Sequence, residues 1–106
     1  MTDTAMTRKL NDEFRTTFQG GRVMATRGVL ARSDVADILR RVREFADFTQ
    51  DNDPHGEHDF GAIRIDQDTV YWKLDAYNLG LEMGSPDPCD PAVTTRVLTV
   101  MLAEEY

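Results

Sequence analysis

The 106-residue sequence has little cysteine and no long apolar run, and each absence excludes a class of protein. A single cysteine, Cys89, excludes an internal disulfide and a zinc site built from several cysteines. No segment reaches the roughly 18 consecutive apolar residues of a membrane-spanning helix. The N-terminal residues lack the charged start and apolar stretch of a signal peptide. We therefore predict a cytoplasmic protein that has no membrane partner.

Short motifs of common enzyme classes are absent as well. The sequence contains no Gly-x-Ser-x-Gly elbow for a nucleophilic serine. Gly20-Gly21 follows a helical segment and lacks the downstream Lys-Ser/Thr of a phosphate-binding loop. We predict no cofactor and no resident metal ion.

Negative charge is what the chain has in excess, and it is unevenly placed. Residues 1–50 carry nine Lys and Arg against seven Asp and Glu, whereas residues 51–106 carry three against twelve. An acidic surface repels nucleic acid and attracts basic proteins, although it also serves solubility alone. We predict a basic protein partner and no direct binding to nucleic acid. The candidate binding residues are Asp53, Glu57, Asp59, Asp66, Asp68, Asp87 and Asp90.

Apolar periodicity predicts one α+β domain over residues 1–106. Spacing typical of helices or strands occurs near residues 4–18, 23–29, 33–48, 60–66 and 69–75. The final segment follows Asp90-Pro91, a favourable helix start, and has apolar residues at helical spacing, so it is predicted to be a helix. The predicted order is α-β-α-β-β-α, with a small antiparallel sheet of about three strands packed against helices.

The most polar part of the chain is residues 51–61. Six ionisable residues lie within it: Asp51, Asp53, His55, Glu57, His58 and Asp59. Alternating Asp residues resemble the start of a calcium loop, but Pro54 interrupts it. Ala62 also stands where such a loop needs a bidentate glutamate, so a calcium loop is excluded.

Two interpretations of residues 51–61 stay open. In the first, Asp and Asn side chains accept backbone N–H groups, Pro54 fixes the bend and His58 pairs with a carboxylate, so the segment is a rigid turn. In the second, Glu57, His58 and Asp59 are the catalytic residues of a small acid–base or metal-assisted enzyme. We favour the first interpretation.

Five fragments of the sequence form a distinctive set: Asn11-Asp-Glu-Phe-Arg15, Asn52-Asp-Pro-His-Gly-Glu-His-Asp-Phe-Gly61, Trp72-Lys-Leu-Asp75, Gly84-Ser-Pro-Asp-Pro88 and residues 95–106. Together they resemble a bacterial, mostly alphaproteobacterial family catalogued as domain of unknown function 3768. The resemblance covers nearly the whole chain and implies a single-domain protein without implying an activity. The resemblance implies that tyrosine is common at the position of His55, which argues against His55 as a metal ligand. It also implies a small residue at the position of Cys89, which argues against a catalytic thiol.

Three functions follow from these observations. The leading hypothesis is a small acidic, non-enzymatic binding protein, an inhibitor or nucleic-acid mimic that acts on a basic nucleic-acid-handling bacterial protein, as anti-CRISPR and anti-restriction proteins do. The alternative is the small enzyme that uses Glu57, His58 and Asp59. A third hypothesis is a homodimer, with an exposed sheet edge or the Leu98/Leu102 side of the last helix as the contact.

Overall fold

Seven helices and strands and two short 3-10 turns make up the computed structural model, which describes residues 3–106. The helices are α1 (Thr4–Thr17), α2 (Arg27–Leu30) and α3 (Val35–Glu44). The strands are β1 (Gly21–Ala25), β2 (Phe60–Ile65), β3 (Asp68–Tyr77) and β4 (Thr95–Leu102). The 3-10 turns span Pro91–Val93 and Ala103–Glu105.

One mixed sheet joins the four strands in the order β1-β4-β3-β2. β1 runs parallel to β4, whereas β4 with β3 and β3 with β2 are antiparallel. The predicted α+β class with a small sheet is confirmed. The sheet is mixed because β1, which precedes α2 and α3 in the chain, pairs with the last strand.

The predicted final helix is wrong, because Thr95–Leu102 is strand β4. β4 lies between β1 and β3, and both of its faces are buried: Leu98 and Val100 belong to the core beneath the helices, and Val97 and Met101 on the other face are also buried. A strand buried on both faces has a nearly continuous apolar run, which contains helical spacing as well. Its β-branched residues favour the strand.

Two details that depended on this helix change with it. Asp90 caps a start as predicted, since its carboxylate accepts the N–H of Ala92, but only one 3-10 turn follows. The dimer contact predicted along Leu98 and Leu102 is wrong, because Leu98 is fully buried in the core.

The three helices lie on one face of the sheet and enclose the core. Its buried side chains are Phe14, Val29, Ile38 and Val42 from the helices and Ile63, Ile65, Val70, Trp72, Leu74, Leu98 and Val100 from the strands. Each such side chain contributes about 1.5–3 kcal/mol when it is fully buried. Within residues 3–106, none of the helices combines the length and apolarity needed to cross a bilayer.

Gly61, at the start of β2, is required by the packing of the largest core residue. It pairs directly with Trp72 across the sheet, and the indole lies over its Cα. A Cβ at position 61 would lie 2.3 Å from Nε1 of Trp72, a distance that no side chain tolerates without displacement. The end of the 51–61 segment is therefore fixed against the core.

Candidate functional site

Helix α1 holds the polar segment 51–61 in place through side-chain contacts to its backbone. Asn11 Nδ2 donates to the carbonyl of Glu57 at 2.9 Å, and Arg8 Nη1 donates to the carbonyl of Gly56 at 3.0 Å. The oxygen of the same Asn11 amide accepts from Nε of Arg96 on β4 at 2.9 Å. Residues that lie far apart in the sequence are thus joined at one end of the sheet.

His58 is enclosed by carboxylates and an aromatic ring. Its Nδ1 lies 2.9 Å from an oxygen of Asp12, and its Nε2 lies 3.6 Å from the buried carboxylate of Asp53. The imidazole stacks on Phe48, with 3.7 Å between centroids and 2° between planes. The His58 backbone has a left-handed angle (φ 52°), which turns the side chain in this direction. The backbone N–H of His58 donates to the Asp53 carboxylate at 3.1 Å. His58 therefore braces the loop.

Arg15 connects this arrangement to the end of helix α3. Its Nη1 donates to the carbonyls of Val42 at 2.8 Å and Phe45 at 3.0 Å, where the helix ends and its dipole attracts positive charge. Nη2 donates to Asp12 at 3.2 Å, so one carboxylate contacts both Arg15 and His58. Burial lowers the pKa of Arg15, but a guanidinium stays protonated in proteins.

Beside the braced loop lies a cavity of about 240 Å³, which we call the carboxylate groove. Its lining residues are Thr7, Asn11, Glu57, Asp59, Leu74, Asp75, Ala76 and Pro88. It forms where β3 continues past the first residue of β2, and the carbonyl of Asp59 accepts the N–H of Leu74 there at 2.8 Å. Three carboxylates, those of Glu57, Asp59 and Asp75, therefore line one groove.

The groove carboxylates differ in their partners. Asp75 forms an ion pair with Lys73 at 3.0 Å. No Lys, Arg or His between residues 3 and 106 forms an ion pair with Glu57 or Asp59. Burial raises the pKa of Asp59 above its ordinary value, and the negative charges nearby add to this effect. The groove thus holds negative charge that a bound cation would stabilise.

The other predicted binding residues lie elsewhere or are already engaged by the fold. Asp66 and Asp68 lie at the β2–β3 turn, at the opposite end of β3 from the groove, and Asp68 pairs with Arg32. Asp87 and Asp90 accept backbone N–H groups within their own loop, and Asp53 is buried against His58. The predicted acidic residues therefore do not form one surface, and of them only Glu57 and Asp59 line the groove.

The three residues of the predicted enzyme site are divided by the fold. Glu57 and Asp59 line the groove, whereas His58 is directed to Asp12 and Asp53 and is not among the lining residues. In the part of the chain that the structure describes, no three His, Cys, Asp or Glu side chains are grouped so that they could hold a metal ion.

Asn11, Asp12, Arg15 and Asp75 are site residues that residue-by-residue reasoning missed. The first three form hydrogen bonds to segments about thirty or more positions away, which no local pattern reveals. A signal existed in the fragments Asn11-Asp-Glu-Phe-Arg15 and Trp72-Lys-Leu-Asp75, which contain all four residues.

Comparison with known proteins gives one match. The model of the family described as "Protein of unknown function (DUF3768)" matches residues 24–105. No curated protein and no solved structure matches the chain. The match covers α2, α3 and the strands that form the groove, but not α1.

Proposed function

We propose that this chain, which belongs to the DUF3768 family of proteins of unknown function, is a non-enzymatic protein that binds a basic protein partner through the carboxylate groove. The observation that carries the proposal is the pair Glu57 and Asp59, which line a groove of about 240 Å³ without an ion-pair partner among residues 3–106. An Arg or Lys side chain of a partner would supply the missing charge. Its N–H groups would donate hydrogen bonds to the groove carboxylates, and hydrogen bonds between charged groups are about twice as strong as those between neutral groups.

Binding is favoured over catalysis because His58 lies outside the groove, so the groove carboxylates have neither a histidine nor a Ser or Cys nucleophile beside them. In the predicted enzyme site His58 acts with Glu57 or Asp59 in proton transfer, but the His58 ring is instead stacked on Phe48 between Asp12 and Asp53. None of the eight lining residues is a Ser, Cys, His or Lys. A carboxylate groove with such a lining is better suited to holding a cation than to activating a nucleophile.

The partner proposed in more detail is a basic nucleic-acid-handling bacterial protein, which the chain would inhibit by occupying a phosphate-binding surface. Support comes from the net charge of −7 on 106 residues and from the groove carboxylates, which present oxygens as phosphates do. A DNA-cleavage assay with restriction and CRISPR nucleases tests this directly. Slower cleavage with the wild-type chain is expected, and unchanged cleavage across the panel counts against the inhibitor.

The groove itself is tested with a double variant and a matched control. Glu57→Gln with Asp59→Asn removes two charges from the groove, and Glu104→Gln with Asp66→Asn removes the same two from exposed sites elsewhere. A lysine–glycine repeat peptide, measured by calorimetry at low salt, should bind the groove variant about tenfold more weakly than the wild type. The control should change affinity much less. Equal losses of affinity in the two variants would mean that net charge alone attracts the peptide, and would overturn the groove as the binding site.

A further inference from the structure

The connection between β3 and β4 begins with a turn, residues 78–84, that exposes three large apolar side chains. The exposed fractions are 63% for Leu79, 36% for Leu81 and 65% for Met83. Single exposed apolar residues are common on proteins, but three within one short turn concentrate apolar surface there, and such a concentration is typical of interaction sites.

This turn is held by its own hydrogen bonds. The N–H of Asn78 donates to the carbonyl of Met83 at 2.8 Å, and the N–H of Leu81 donates to the carbonyl of Asn78 at 3.0 Å. The Asn78 side chain accepts the N–H of Glu82 at 2.9 Å. An isolated bridge between Tyr77 and Gly84 closes the base. The apolar side chains are therefore presented by an ordered turn, which reduces the entropy lost on binding.

Leu81 occupies a backbone conformation that leucine rarely adopts. Its φ is 59°, in the left-handed region where glycine and asparagine are favoured and a bulky side chain is strained. The strain would be relieved by a glycine, yet the position holds a leucine that is more than one-third exposed. Strain that the fold does not need is concentrated at functional sites, so this residue indicates a function for the turn.

The turn adjoins the carboxylate groove. Ala76, which lines the groove, accepts the N–H of Ser85 immediately after the turn at 2.9 Å. Pro88, three residues further on, lines the groove as well. The apolar side chains and the groove carboxylates therefore lie at the same end of the sheet.

We infer that residues 78–84 are the apolar anchor of the interface whose charged part is the groove. Leu79, Leu81 and Met83 enter an apolar pocket on the basic partner protein, while Glu57 and Asp59 take its cationic side chain. The inference rests on the proposed function and adds the partner's second property, an apolar pocket beside the basic group. Interfaces typically combine such an apolar centre with a charged rim.

The charges around the turn favour a basic protein over a membrane surface or a second copy of this chain. Glu82 within the turn and Asp87 beyond it would be repelled by the anionic headgroups of a membrane. A second copy, placed on the same patch by a two-fold axis, would bring Glu57, Asp59 and Glu82 close to the same residues of its mate. A partner with positive charge around its pocket meets neither penalty.

Two synthetic peptides of equal length and charge test the inference, one a lysine–glycine repeat and the other a lysine–leucine repeat. The lysine–leucine peptide should bind the wild type about tenfold more tightly, since it adds apolar contacts to the same charges. Backbone amide shifts in NMR should move in the groove for both peptides and in residues 78–84 for the lysine–leucine peptide alone. If the lysine–glycine peptide does not bind, the proposed function fails. If it binds the groove and leucine adds nothing, only the present inference fails.

Matched substitutions test whether the tighter binding of the lysine–leucine peptide depends on the turn. Leu79→Ser should remove most of the tenfold gain, whereas Leu30→Ser, which alters a leucine 62% exposed on α2, should leave it intact. Leu81→Asn should also lower the gain while keeping or raising the Tm, because asparagine tolerates the left-handed conformation. Equal effects of the Leu79 and Leu30 changes would overturn the inference.

Two further measurements exclude the other occupants. Sedimentation of the chain with phosphatidylcholine vesicles, with and without phosphatidylserine, should show no binding that depends on Leu79. Sedimentation velocity should show no dimer that Leu79→Ser dissociates. Either a Leu79-dependent vesicle complex or a Leu79-dependent dimer would overturn the assignment to a basic protein.

Discussion

The two ends of strand β3 both carry carboxylates, and they use them in different ways. At the turn between β2 and β3, Asp68 pairs with Arg32, and nearby Glu105 accepts a hydrogen bond from the N–H of Gly28 at 2.9 Å. At the other end, Glu57 and Asp59 line the groove without such partners among the described residues. The two ends of this ten-residue strand are about 30 Å apart, so each set of charges acts independently.

The difference is visible in the direction of two pKa shifts. The Thr26 hydroxyl, followed by the backbone N–H groups of Leu102 and Gly28, lowers the pKa of Glu105. Burial raises the pKa of Asp59. Ionised Glu105 therefore stabilises the fold, whereas ionised Asp59 destabilises it. A carboxylate that the fold does not use for stability is available for a partner, and this distinguishes Asp59 at the groove end from Glu105 at the turn end.

The largest effect is expected from removing the residue that holds the groove end together. Arg15→Ala leaves the carbonyl of Phe45 without its Arg15 donor and leaves that of Val42 with only the N–H of Phe45 at 3.4 Å. It also removes a cation that lies 5.0 Å from the centre of the Trp72 ring. Leaving a buried hydrogen-bond acceptor unsatisfied costs about 1–3 kcal/mol, and the lost packing of the Arg15 side chain on Phe48 and Trp72 adds to this. Urea denaturation measures the free energy of unfolding. Arg40→Ala, which breaks only exposed ion pairs, is the control, and an equally small change for both variants would contradict the role of Arg15.

A smaller loss is expected when the groove end is forced away from the core. Gly61→Ala places a methyl group against the Trp72 indole, and overpacking of this kind costs about 1–3 kcal/mol. Gly84→Ala is the matched control, because a Cβ at that position meets no atom within 4 Å. Thermal unfolding should give a clearly lower Tm for Gly61→Ala than for Gly84→Ala. Equal Tm values would show that Trp72 moves aside without loss.

Neutralising one carboxylate at each end of β3 should change the Tm by a still smaller amount, and the two changes should have opposite signs. At neutral pH, Glu105→Gln should lower the Tm and Asp59→Asn should raise it. The loss for Glu105→Gln should disappear as the pH falls through the lowered pKa of Glu105. The gain in Tm for Asp59→Asn should disappear below about pH 3.9, where Asp59 is protonated in both the folded and the unfolded chain. Shifts of the same sign would break the comparison between the two ends.

The same raised pKa predicts how peptide binding depends on pH. Affinity for the lysine–glycine peptide should decrease as the pH is lowered through the raised pKa of Asp59, because the neutral acid no longer attracts the ammonium group. Calorimetry from pH 7 downward measures this decrease. In Asp59→Asn the affinity should change at a lower pH, where ordinary carboxyls titrate. An unchanged profile would exclude Asp59 from the binding site.

Local periodicity was enough to predict the elements whose two faces differ in polarity. α1 and α3 have one apolar face, and the β2–β3 hairpin alternates between buried and exposed residues, so each was recognised. For β4 the apolar spacing predicts a helix, because both faces of the strand are buried and no alternation of polar residues reveals its period of two. Its strand conformation depends on pairing with β1 and β3, which are distant in the sequence.

The groove was predictable only in part, for a similar reason. Glu57 and Asp59 stood out because they lie in one short acidic segment, and alternation along the chain indicated that they share a side. Asp75 and Asn11 reach the groove from β3 and α1, and this depends on tertiary packing. The direction of His58 depends on a positive φ that the residue type does not specify.

The anchoring of α3 by Arg15 has a consequence for where the molecule can be divided. The family match begins at Met24, yet Asn11, Asp12 and Arg15 of α1 hold the loop and the end of α3. If the polypeptide were cut before Gly21, the larger fragment would lose the Arg15 donor to the carbonyls at the end of α3. It would also lose the Phe14 side chain from its core. Because α1 contacts the rest through defined donors, the two fragments should reassociate when mixed. The contacts of α1 therefore predict that the unit that folds is longer than the unit that sequence similarity recognises.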